Sequence, residues 1–352
     1  MARESTTSVD VAKLAGVSQS AVSRVFTPGA SVSDRTVEKV RKAAQELGYR
    51  PNSLARAMVS GRSRIIGLVV AYLNNQFYPE ALEKLSAALQ ERGYHVLVFL
   101  TEKTQGDVNQ VIEEILGYQV DGIIAASVAL SSELADRCRA EKVPLVLFNR
   151  SQDDPGLASV TSKNYSGGRT VAEFLIAGEH KRIAHIAGWE GASTQRDREA
   201  GFMDGLSEAG VTLHARGVGN FQADTAADAA REMFKADEKP DALFVANDHM
   251  AIAVMDVLRD ELQLKVPEDV SIVSYDDVPA ASWKGYNLTT IRQPADLMVN
   301  SAVDILLEQI ADKNAGHLWN RTGMKAPKIE IEAPLILRGS ARIPEGWDNE
   351  GV

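Results

Sequence analysis

The chain has 352 residues, enough for two or three domains at roughly 100 to 200 residues each. With 45% hydrophobic and 24% charged residues it has the composition of an ordinary globular protein. Neither its polar start nor any apolar run predicts a secretory signal or a membrane span. A single cysteine, Cys138, excludes an internal disulfide and a multi-cysteine metal cluster. We therefore expect a cytoplasmic protein with no metal and no other cofactor.

Charge is divided unevenly along the chain. Residues 1–62 hold ten Lys/Arg and five Asp/Glu, so a net charge of -10 leaves -15 on residues 63–352. A small basic segment attached to a large acidic one suggests that only the basic segment approaches a polyanion such as DNA.

The basic segment carries the pattern of three short helices. Thr7 or Ser8 is a candidate N-cap of the first helix, Gly16 ends it, and Ser18 and Ser33 are candidate N-caps of the second and third. The predicted apolar faces are Val9, Ala12 and Leu14; Ala21, Val22 and Val25; and Val37, Val40, Ala44 and Leu47. Two short helices joined by a glycine-containing turn are typical of the helix-turn-helix, whose second helix enters the DNA major groove.

The exposed face of the second helix carries groups that can bind bases. Gln19, Ser20 and Arg24 project away from its apolar face. Glutamine can pair with adenine and arginine with guanine. The alternative is a solvated polar face on a small helical bundle.

From residue 64 onwards, apolar runs alternate with amphipathic segments such as PEALEKLSAALQERG. One series of runs is IIGLVVAYL, HVLVFL, VDGIIAAS and VPLVLFNR, and a second is RIAHIAG, DALFVAND and VSIVSYDD. Short apolar strands between helices predict parallel sheets covered on both faces, and two series predict two lobes. Polar residues after these runs would collect at the carboxyl ends of strands, where such sheets bind ligands. The alternative for each is a helix cap or a turn.

The segments VDVAKLAGVSQSAVSRVF, VSDRTVEKVRKAAQELGYRPN and LARAM resemble the DNA-binding head of the lactose/galactose repressor family, and the resemblance continues over most of the chain. It implies a small all-α helix-turn-helix head and an α/β body of two doubly wound parallel-sheet lobes of periplasmic-binding-protein type. The implied division is a head at 1–50, a hinge helix and linker at 51–63, an N-terminal lobe at 64–162 and 293–323, a C-terminal lobe at 163–292 and 324–340, and a tail at 341–352.

The resemblance also assigns site residues. It implies DNA contacts by Thr7, Ser18, Gln19, Ser20, Ser23 and Arg24 in the head and by Asn52, Leu54, Ala55 and Met58 in the hinge, where Met58 takes a position usually held by Leu. It implies effector contacts by Phe77, Tyr78, Asn149, Arg150, Arg198, Phe221, Asn247, Asp276 and Gln293. For Phe77 and Tyr78, simple packing is a nearly equal alternative.

Two departures from the family pattern concern the charge of the effector. Asn149 replaces an acidic residue beside Arg150, and Lys163 stands where many relatives carry Asp. With Arg198, these residues favour an anionic effector such as a sugar acid or a phosphosugar. The alternative is that Lys163 and Arg150 are solvated or pair with nearby acids.

The expected function is sequence-specific transcriptional regulation, with repression as the family's usual mode. We expect a homodimer that binds near-palindromic operator DNA, is controlled by a sugar or sugar derivative and makes no membrane contact. A solute-binding protein and an enzyme are alternatives that the basic head and the missing catalytic motifs disfavour. A phosphorylated partner protein as co-effector stays open, as do the effector's identity, induction against corepression, repression against activation, and the operator sequence.

Overall fold

The structure is a computed structural model that describes residues 6–26, 30–50, 62–71, 73–101, 108–128, 132–314 and 325–348. The chain divides into two compact units, Met1–Ser63 and Arg64–Val352. The predicted DNA contacts at Asn52, Leu54, Ala55 and Met58 lie outside the described residues.

The first unit contains α1 (Ser8–Ala15), α2 (Gln19–Val25) and α3 (Asp34–Glu46). Thr7 caps α1 in a capping box, with Thr7 N–H donating to Asp10 Oδ2 at 2.9 Å. Gly16 ends α1 in the left-handed region at φ 65°, which glycine adopts without a Cβ clash. Ser18 caps α2, its Oγ accepting from the Ala21 N–H at 3.2 Å. The predicted caps Thr7 and Ser18 and the helix end at Gly16 are thus confirmed. Ser33 occupies the N-cap position of α3 but makes no side-chain capping hydrogen bond.

A small apolar core holds these three helices together. Its buried members are Val11, Ala12, Ala15, Val22, Val40, Ala43 and Ala44. The prediction that Val9 and Leu14 face this core is wrong, since they are 41% and 51% exposed. Apolar residues lie around much of α1, and contact with α2 and α3 selects the Val11/Ala15 stripe instead.

The second unit alternates strands and helices. Its strands are β1 (Ile65–Val70), β2 (His95–Leu100), β3 (Gly122–Ala126), β4 (Leu145–Phe148), β5 (Ala158–Ser162), β6 (Ile183–Ala187), β7 (Ala215–Val218), β8 (Ala242–Val245), β9 (Ser271–Asp276), β10 (Thr289–Arg292), β11 (Lys328–Ile331) and β12 (Leu335–Ile336). Its helices are α4 (Phe77–Glu91), α5 (Val108–Gly117), α6 (Ser132–Ala140), α7 (Asn164–Ala177), α8 (Ser193–Glu208), α9 (Ala223–Met233), α10 (Asp248–Asp256) and α11 (Ala295–Asn314). A π-helical turn spans Val257–Glu261 and a 3₁₀ turn spans Pro279–Ser282.

The strands form two sheets, one in each lobe. The first has the order β11-β5-β4-β3-β1-β2 and the second β12-β10-β9-β8-β6-β7. All of the pairs are parallel except β10 with β12. Strands β3, β4, β6, β8 and β9 are buried along their whole length, as expected of parallel strands with helices on both faces.

The last strands divide the C-terminal segment differently from the prediction. Strand β11 pairs with β5 in the first sheet, Lys328 lying opposite Ser159 and Ile331 opposite Ser162. The assignment of 324–340 to the C-terminal lobe is therefore wrong for 328–331, and β12 alone joins the second sheet. The reason is that β5 offers an open edge whose backbone groups the KIEI segment satisfies. Helix α11 packs on β3, β4 and β5 of the first sheet.

Helices α7 and α8 pack unusually closely in the second lobe. A Cβ on Gly168 would lie 2.0 Å from the carbonyl oxygen of Arg198, and one on Gly201 would lie 1.9 Å from that of Tyr165. Only glycine permits this backbone approach. The contact fixes Arg198 of α8 relative to Asn164 at the start of α7. Among the residues described, no helix is both long and apolar enough to cross a membrane.

Candidate ligand-binding and DNA-reading sites

The residues predicted to bind the effector lie at the carboxyl ends of strands from both sheets. They are Phe77 and Tyr78 after β1, Asn149 and Arg150 after β4, Arg198 in α8 after β6, Phe221 after β7, Asn247 after β8, Asp276 at the end of β9 and Gln293 after β10. Each is at most 5% exposed. Parallel topology alone brings these strand ends to one edge of each sheet.

A hydrogen-bonded network surrounds Asp276. Its Oδ1 accepts from Gln293 Nε2 at 2.7 Å and from Arg198 Nη2 at 3.4 Å, and its Oδ2 accepts from Asn75 Nδ2 at 3.2 Å. Arg198 also donates to Asn164 Oδ1 at 2.9 Å and to the Ala246 carbonyl at 2.7 Å. The network satisfies a buried carboxylate and a buried guanidinium with one another.

An aromatic ring and a second carboxyl group adjoin this network. The Arg198 guanidinium carbon lies 3.6 Å from the centre of the Tyr275 ring. Burial raises the pKa of Asp276, and Arg198 opposes that rise. Burial also raises the pKa of Asp248, with Asp276 adding to it, although Asp248 accepts from Thr290 at 2.7 Å and from the Val278 N–H at 2.8 Å. The charge on Asp276 therefore opposes ionisation of the buried Asp248 carboxyl group.

Arg150 and Asn149 form a second polar group in the cleft. Arg150 Nη1 donates to the Asn149 carbonyl and to Thr194 Oγ1, both at 2.8 Å, and Nη2 donates to Ser127 Oγ at 3.0 Å. Asn149 Nδ2 donates to the Tyr78 hydroxyl at 3.3 Å. Asn149 Oδ1 and Arg150 Nε are buried and have no hydrogen-bond partner. This group, unlike the Asp276 network, therefore has unused hydrogen-bonding capacity.

Aromatic rings complete the lining. Phe77 stacks on Phe148 with ring centres 6.3 Å apart and meets Tyr78 edge-on at 5.4 Å. The Phe221 ring centre lies 5.7 Å from the Arg150 guanidinium carbon. Phe77 packs against both rings, and Tyr78 also touches the polar group through Asn149. Effector contacts by Phe77 and Tyr78 stay predictions.

Backbone strain occurs at several of these strand ends. Ser127, Asn149, Phe221 and Asp276 have φ values of 59°, 55°, 60° and 122°. Positive φ is unfavourable for residues with a side chain, most of all for a bulky one such as Phe221. Such conformations cost about 1–3 kcal/mol each and are found at functional sites, where the surrounding structure enforces them.

Hydrogen bonds between these strand ends also join the two lobes. Asn75 reaches Asp276, and Gln76 Oε1 accepts from the Ala280 N–H at 3.2 Å. On the other side Arg150 reaches Thr194, and the Ser151 N–H donates to Ser193 Oγ at 2.9 Å. The lobes are therefore held together by the side chains that line the cleft.

An open cavity of about 230 Å³ lies beside Arg150 rather than around Asp276. It is lined by Val128, Arg150, Ser151, Gln152, Asp153, Trp189, Gly191, Ser193 and Arg196. Arg196 and Asp153 are exposed at its edge. The free volume thus adjoins the polar group that has unused hydrogen-bonding capacity.

Asn247 and Lys163 make the contacts that the alternative interpretations describe: a helix cap and an ion pair with a nearby acid. Asn247 Oδ1 accepts from the Met250 N–H at 3.0 Å and caps α10. Lys163 pairs with Glu332 at the surface rather than facing the cleft, so the suggestion that it favours an anionic effector is not supported by its position. A role for Asn247 in effector binding stays a prediction.

Several residues of the site were not predicted from the sequence. They are Asn75, Ser127, Asn164, Thr194 and Tyr275. Asn75, Ser127 and Thr194 follow strands that the sequence predicted, so the rule that selected Asn149 could have found them. Asn164 follows β5, which the sequence did not predict. Tyr275 lies inside an apolar run, and nothing in the local pattern distinguishes it from a core residue.

In the head, the predicted base contacts are all exposed on or beside α2. Gln19 Nε2 donates to Ser8 Oγ at 3.0 Å, Ser20 Oγ lies 2.9 Å from Ser18 Oγ, and Arg24 Nε lies 3.4 Å from the Ser20 carbonyl. Ser23 is also exposed. Thr7 Oγ1 donates to Asp10 Oδ2 at 2.7 Å, so its hydroxyl serves the α1 cap. Their contacts with DNA stay predictions.

A helix-turn-helix head followed by a two-lobed, ligand-cleft body defines a class: DNA-binding regulators whose body resembles periplasmic binding proteins. Residues 8–52 match the family described as bacterial regulatory proteins, lacI family, and residues 172–341 match the periplasmic binding protein-like domain. The HTH-type transcriptional repressor PurR of Vibrio atlanticus is 32% identical over 87% of this chain and 92% of its own length. The chain belongs to the lacI family of bacterial regulatory proteins.

Solved structures agree with this assignment. The Lac repressor dimer bound to operator and the anti-inducer ONPF superposes with a TM-score of 0.83 at 29% identity, covering 96% of this chain and 99% of that one. The complex of the transcriptional regulator CelR with cellobiose gives a TM-score of 0.70 at 29% identity, covering 95% and 99%. Regulators of this family bind DNA and are controlled by small-molecule effectors.

Proposed function

We propose that this protein is a transcriptional repressor that binds near-palindromic operator DNA as a homodimer and is controlled by a sugar or sugar derivative bound between its lobes. Gln19, Ser20 and Arg24 would read base edges in the major groove. Thr7, Ser18 and Ser23 would contact the backbone or neighbouring bases, and Asn52, Leu54, Ala55 and Met58 would act at the minor groove.

One observation carries the proposal: the side chains that line the cleft are also those that join the lobes. Asn75 and Asp276 meet across the cleft at 3.2 Å, and Arg150 and Thr194 meet across it at 2.8 Å. A ligand that bonds to Asp276 or Arg150 must change these contacts. It would therefore bind differently to different lobe orientations, which is the requirement for control.

The effector class follows from the lining and from the relatives. A guanidinium and a carboxylate beside aromatic rings suit a ligand with several hydroxyl groups and an apolar face. The similar CelR structure holds cellobiose, a sugar. We therefore place the effector against Arg198, Asp276 and Gln293 on one lobe and Tyr78, Asn149 and Arg150 on the other, with Phe77, Phe221 and Asn247 completing the lining.

A homodimer is supported by the exposed apolar surface of the body. Val98 and Leu100 on the edge strand β2 are 46% and 55% exposed, and Trp283 is 56% exposed. Apolar side chains on an open edge strand favour association unless they are covered. A second copy would cover them and place two heads on two half-sites. We assign the protein to the cytoplasm, where its operator lies, and propose no catalytic activity.

The test combines ligand screening with operator binding. A thermal-shift screen of carbohydrates identifies stabilising ligands, and fluorescence anisotropy with an operator selected from random duplexes measures affinity with and without each. We expect every stabilising ligand that acts in the cleft to change operator affinity. Failure to select any duplex, or ligands that stabilise the body without changing operator affinity, would contradict the proposal.

A variant of the head provides the matched control for DNA recognition. Replacing both Gln19 and Arg24 by alanine removes the expected base contacts, each worth about 1–3 kcal/mol of discrimination. The variant should lose preference for the selected operator and keep the ligand-induced thermal shift. Unchanged selectivity would place base recognition elsewhere in the head.

A further inference from the structure

Arg150 carries a buried positive charge that no acidic side chain balances. It is 5% exposed, and its hydrogen-bond acceptors are the Asn149 carbonyl and the hydroxyls of Thr194 and Ser127. Throughout the described part of the chain, no carboxylate forms an ion pair with it. Arginine cannot shed its proton to escape the cost of burial. The site therefore holds a buried positive charge whose hydrogen-bond acceptors are all neutral.

The other buried arginine of the cleft is different. Arg198 pairs with Asp276, and that carboxylate is in turn bonded to Gln293 and Asn75. Arg198 therefore has a carboxylate partner, whereas Arg150 has none among the described residues. A buried charge is normally paired or bonded to an ion. An anionic group on the ligand would supply such a partner for Arg150.

The unused polar atoms define what lies beside that anion. Arg150 Nε is a buried donor without an acceptor, and Asn149 Oδ1 is a buried acceptor without a donor. Buried polar atoms without partners cost free energy, and a ligand that supplies both partners removes that cost. A carboxylate accepts from Arg150, and a hydroxyl on a nearby carbon donates to Asn149. This combination is a hydroxy acid.

The free space beside Arg150 fits this chemistry. The cavity of about 230 Å³ is lined by Arg150, by Ser151 and Ser193, and by Trp189, which offers an aromatic face. The exposed side chains of Asp153 and Arg196, which carry opposite charges, also line it. Pockets for drug-sized ligands usually measure about 300–1,000 Å³, so this one suits a ligand of about one sugar unit.

We propose that the effector is the anion of a single-unit sugar acid, its carboxylate paired with Arg150 and an adjacent hydroxyl bonded to Asn149. This proposal rests on the proposed function, because it specifies the ligand of the same cleft. It also gives Arg150 a role in control. The carboxylate would compete with the Arg150–Thr194 bond between the lobes, so ligand charge and lobe contact are linked through one side chain.

The experiment is calorimetric titration of the full chain with four probes: potassium gluconate, potassium glucuronate, glucose and glucose 6-phosphate. We expect at least one of the two acids to bind at least about 30-fold more tightly than glucose, the effect of a buried charge-paired hydrogen bond. Equal or tighter binding of glucose overturns the proposal, and so does binding of neither acid. Tightest binding by glucose 6-phosphate also overturns it and identifies a phosphate site instead.

Variants then tie the preference to Arg150. Arg150→Met should lose at least about 30-fold in affinity for the acid, whereas Arg150→Lys, which keeps the charge, should lose less. Arg137→Met removes the same charge from an exposed position on the first lobe and should leave the affinity within about twofold. Thermal denaturation checks the fold of each variant. Equal acid binding by Arg150→Met and the parent protein overturns the assignment.

Failure of this inference is distinguishable from failure of the proposed function. If glucose binds best and still changes operator affinity in the anisotropy assay, the regulator function stands and the sugar-acid assignment is wrong. If an acid binds through Arg150 but no ligand changes operator affinity, the sugar-acid assignment stands and the proposed regulator function is wrong.

Discussion

Replacement of Arg198 by methionine should destabilise the body more than any surface arginine does. Asp276 is 4% exposed and would be left without its cation, a loss that costs about 3–5 kcal/mol in buried pairs. Gln293 at 2.7 Å and Asn75 at 3.2 Å would still donate to the carboxylate. We therefore expect the lower end, about 3 kcal/mol, which corresponds to a decrease in Tm of roughly 6 °C for a unit of this size.

The reasoning is tested by a double-mutant cycle with Asp276→Asn. That change alone leaves Arg198 buried and unpaired, with Asn164, the Ala246 carbonyl and the Tyr275 ring as its neighbours, and should also cost about 3 kcal/mol. The double variant buries neither charge. It should lose about 3 kcal/mol rather than about 6, a coupling at the upper end of the range for residues in contact.

The assay is urea unfolding followed by circular dichroism, with the slope against urea concentration checked for constancy. The matched control is the exposed pair Arg231 and Glu261, whose atoms lie 2.7 Å apart. Arg231→Met and Glu261→Gln should each change stability by less than about 1 kcal/mol. If the Arg198 and Asp276 changes add to within about 0.5 kcal/mol, the two groups are not coupled and the network has been misread.

Three further outcomes are expected. Thr7→Ala should destabilise the head by about 1 kcal/mol, because α1 loses its capping box, and hydrogen exchange of α1 amides measures this against Thr7→Ser. Met58→Ala should weaken operator binding by roughly tenfold while effector affinity stays constant, and an unchanged anisotropy titration would contradict a wedge role. Burial lowers the pKa of His185 from 6.5 to about 4, so stability present above pH 6.5 is lost as pH falls towards 4. His185→Gln should remove about 2 kcal/mol of the loss between pH 7 and pH 5; equal losses in both proteins would refute this.

Local patterns were sufficient for much of this architecture. Helix caps at Thr7 and Ser18 and the stop at Gly16 depend on residues within one turn, so they can be read directly. Seven apolar runs became strands, and six of them are buried on both faces, which leaves a continuous apolar signature. The seventh, β2, is a partly exposed edge strand. The strands that were not predicted, β5, β7, β10, β11 and β12, are at most five residues long, and several contain polar or charged side chains.

Packing determines which segments that are distant in the sequence contact one another. Val9 and Leu14 are as apolar as Val11, yet only contact with α2 and α3 selects the buried stripe. Strand β11 joins the first lobe through β5, 169 residues earlier in its first paired position. No local pattern encodes which distant edge a short strand satisfies.

The effector cleft likewise has some features that the sequence predicts and others that only the tertiary structure determines. The sequence placed Arg198 and Asp276 after predicted strands, and the family resemblance added Gln293; parallel topology brings the three into one network. Only the folded chain determines that Lys163 pairs with Glu332 at the surface while Arg150 is buried among neutral acceptors. A residue's type fixes its charge, but the positions of all neighbouring groups decide whether that charge is balanced, and this is a property of the tertiary structure.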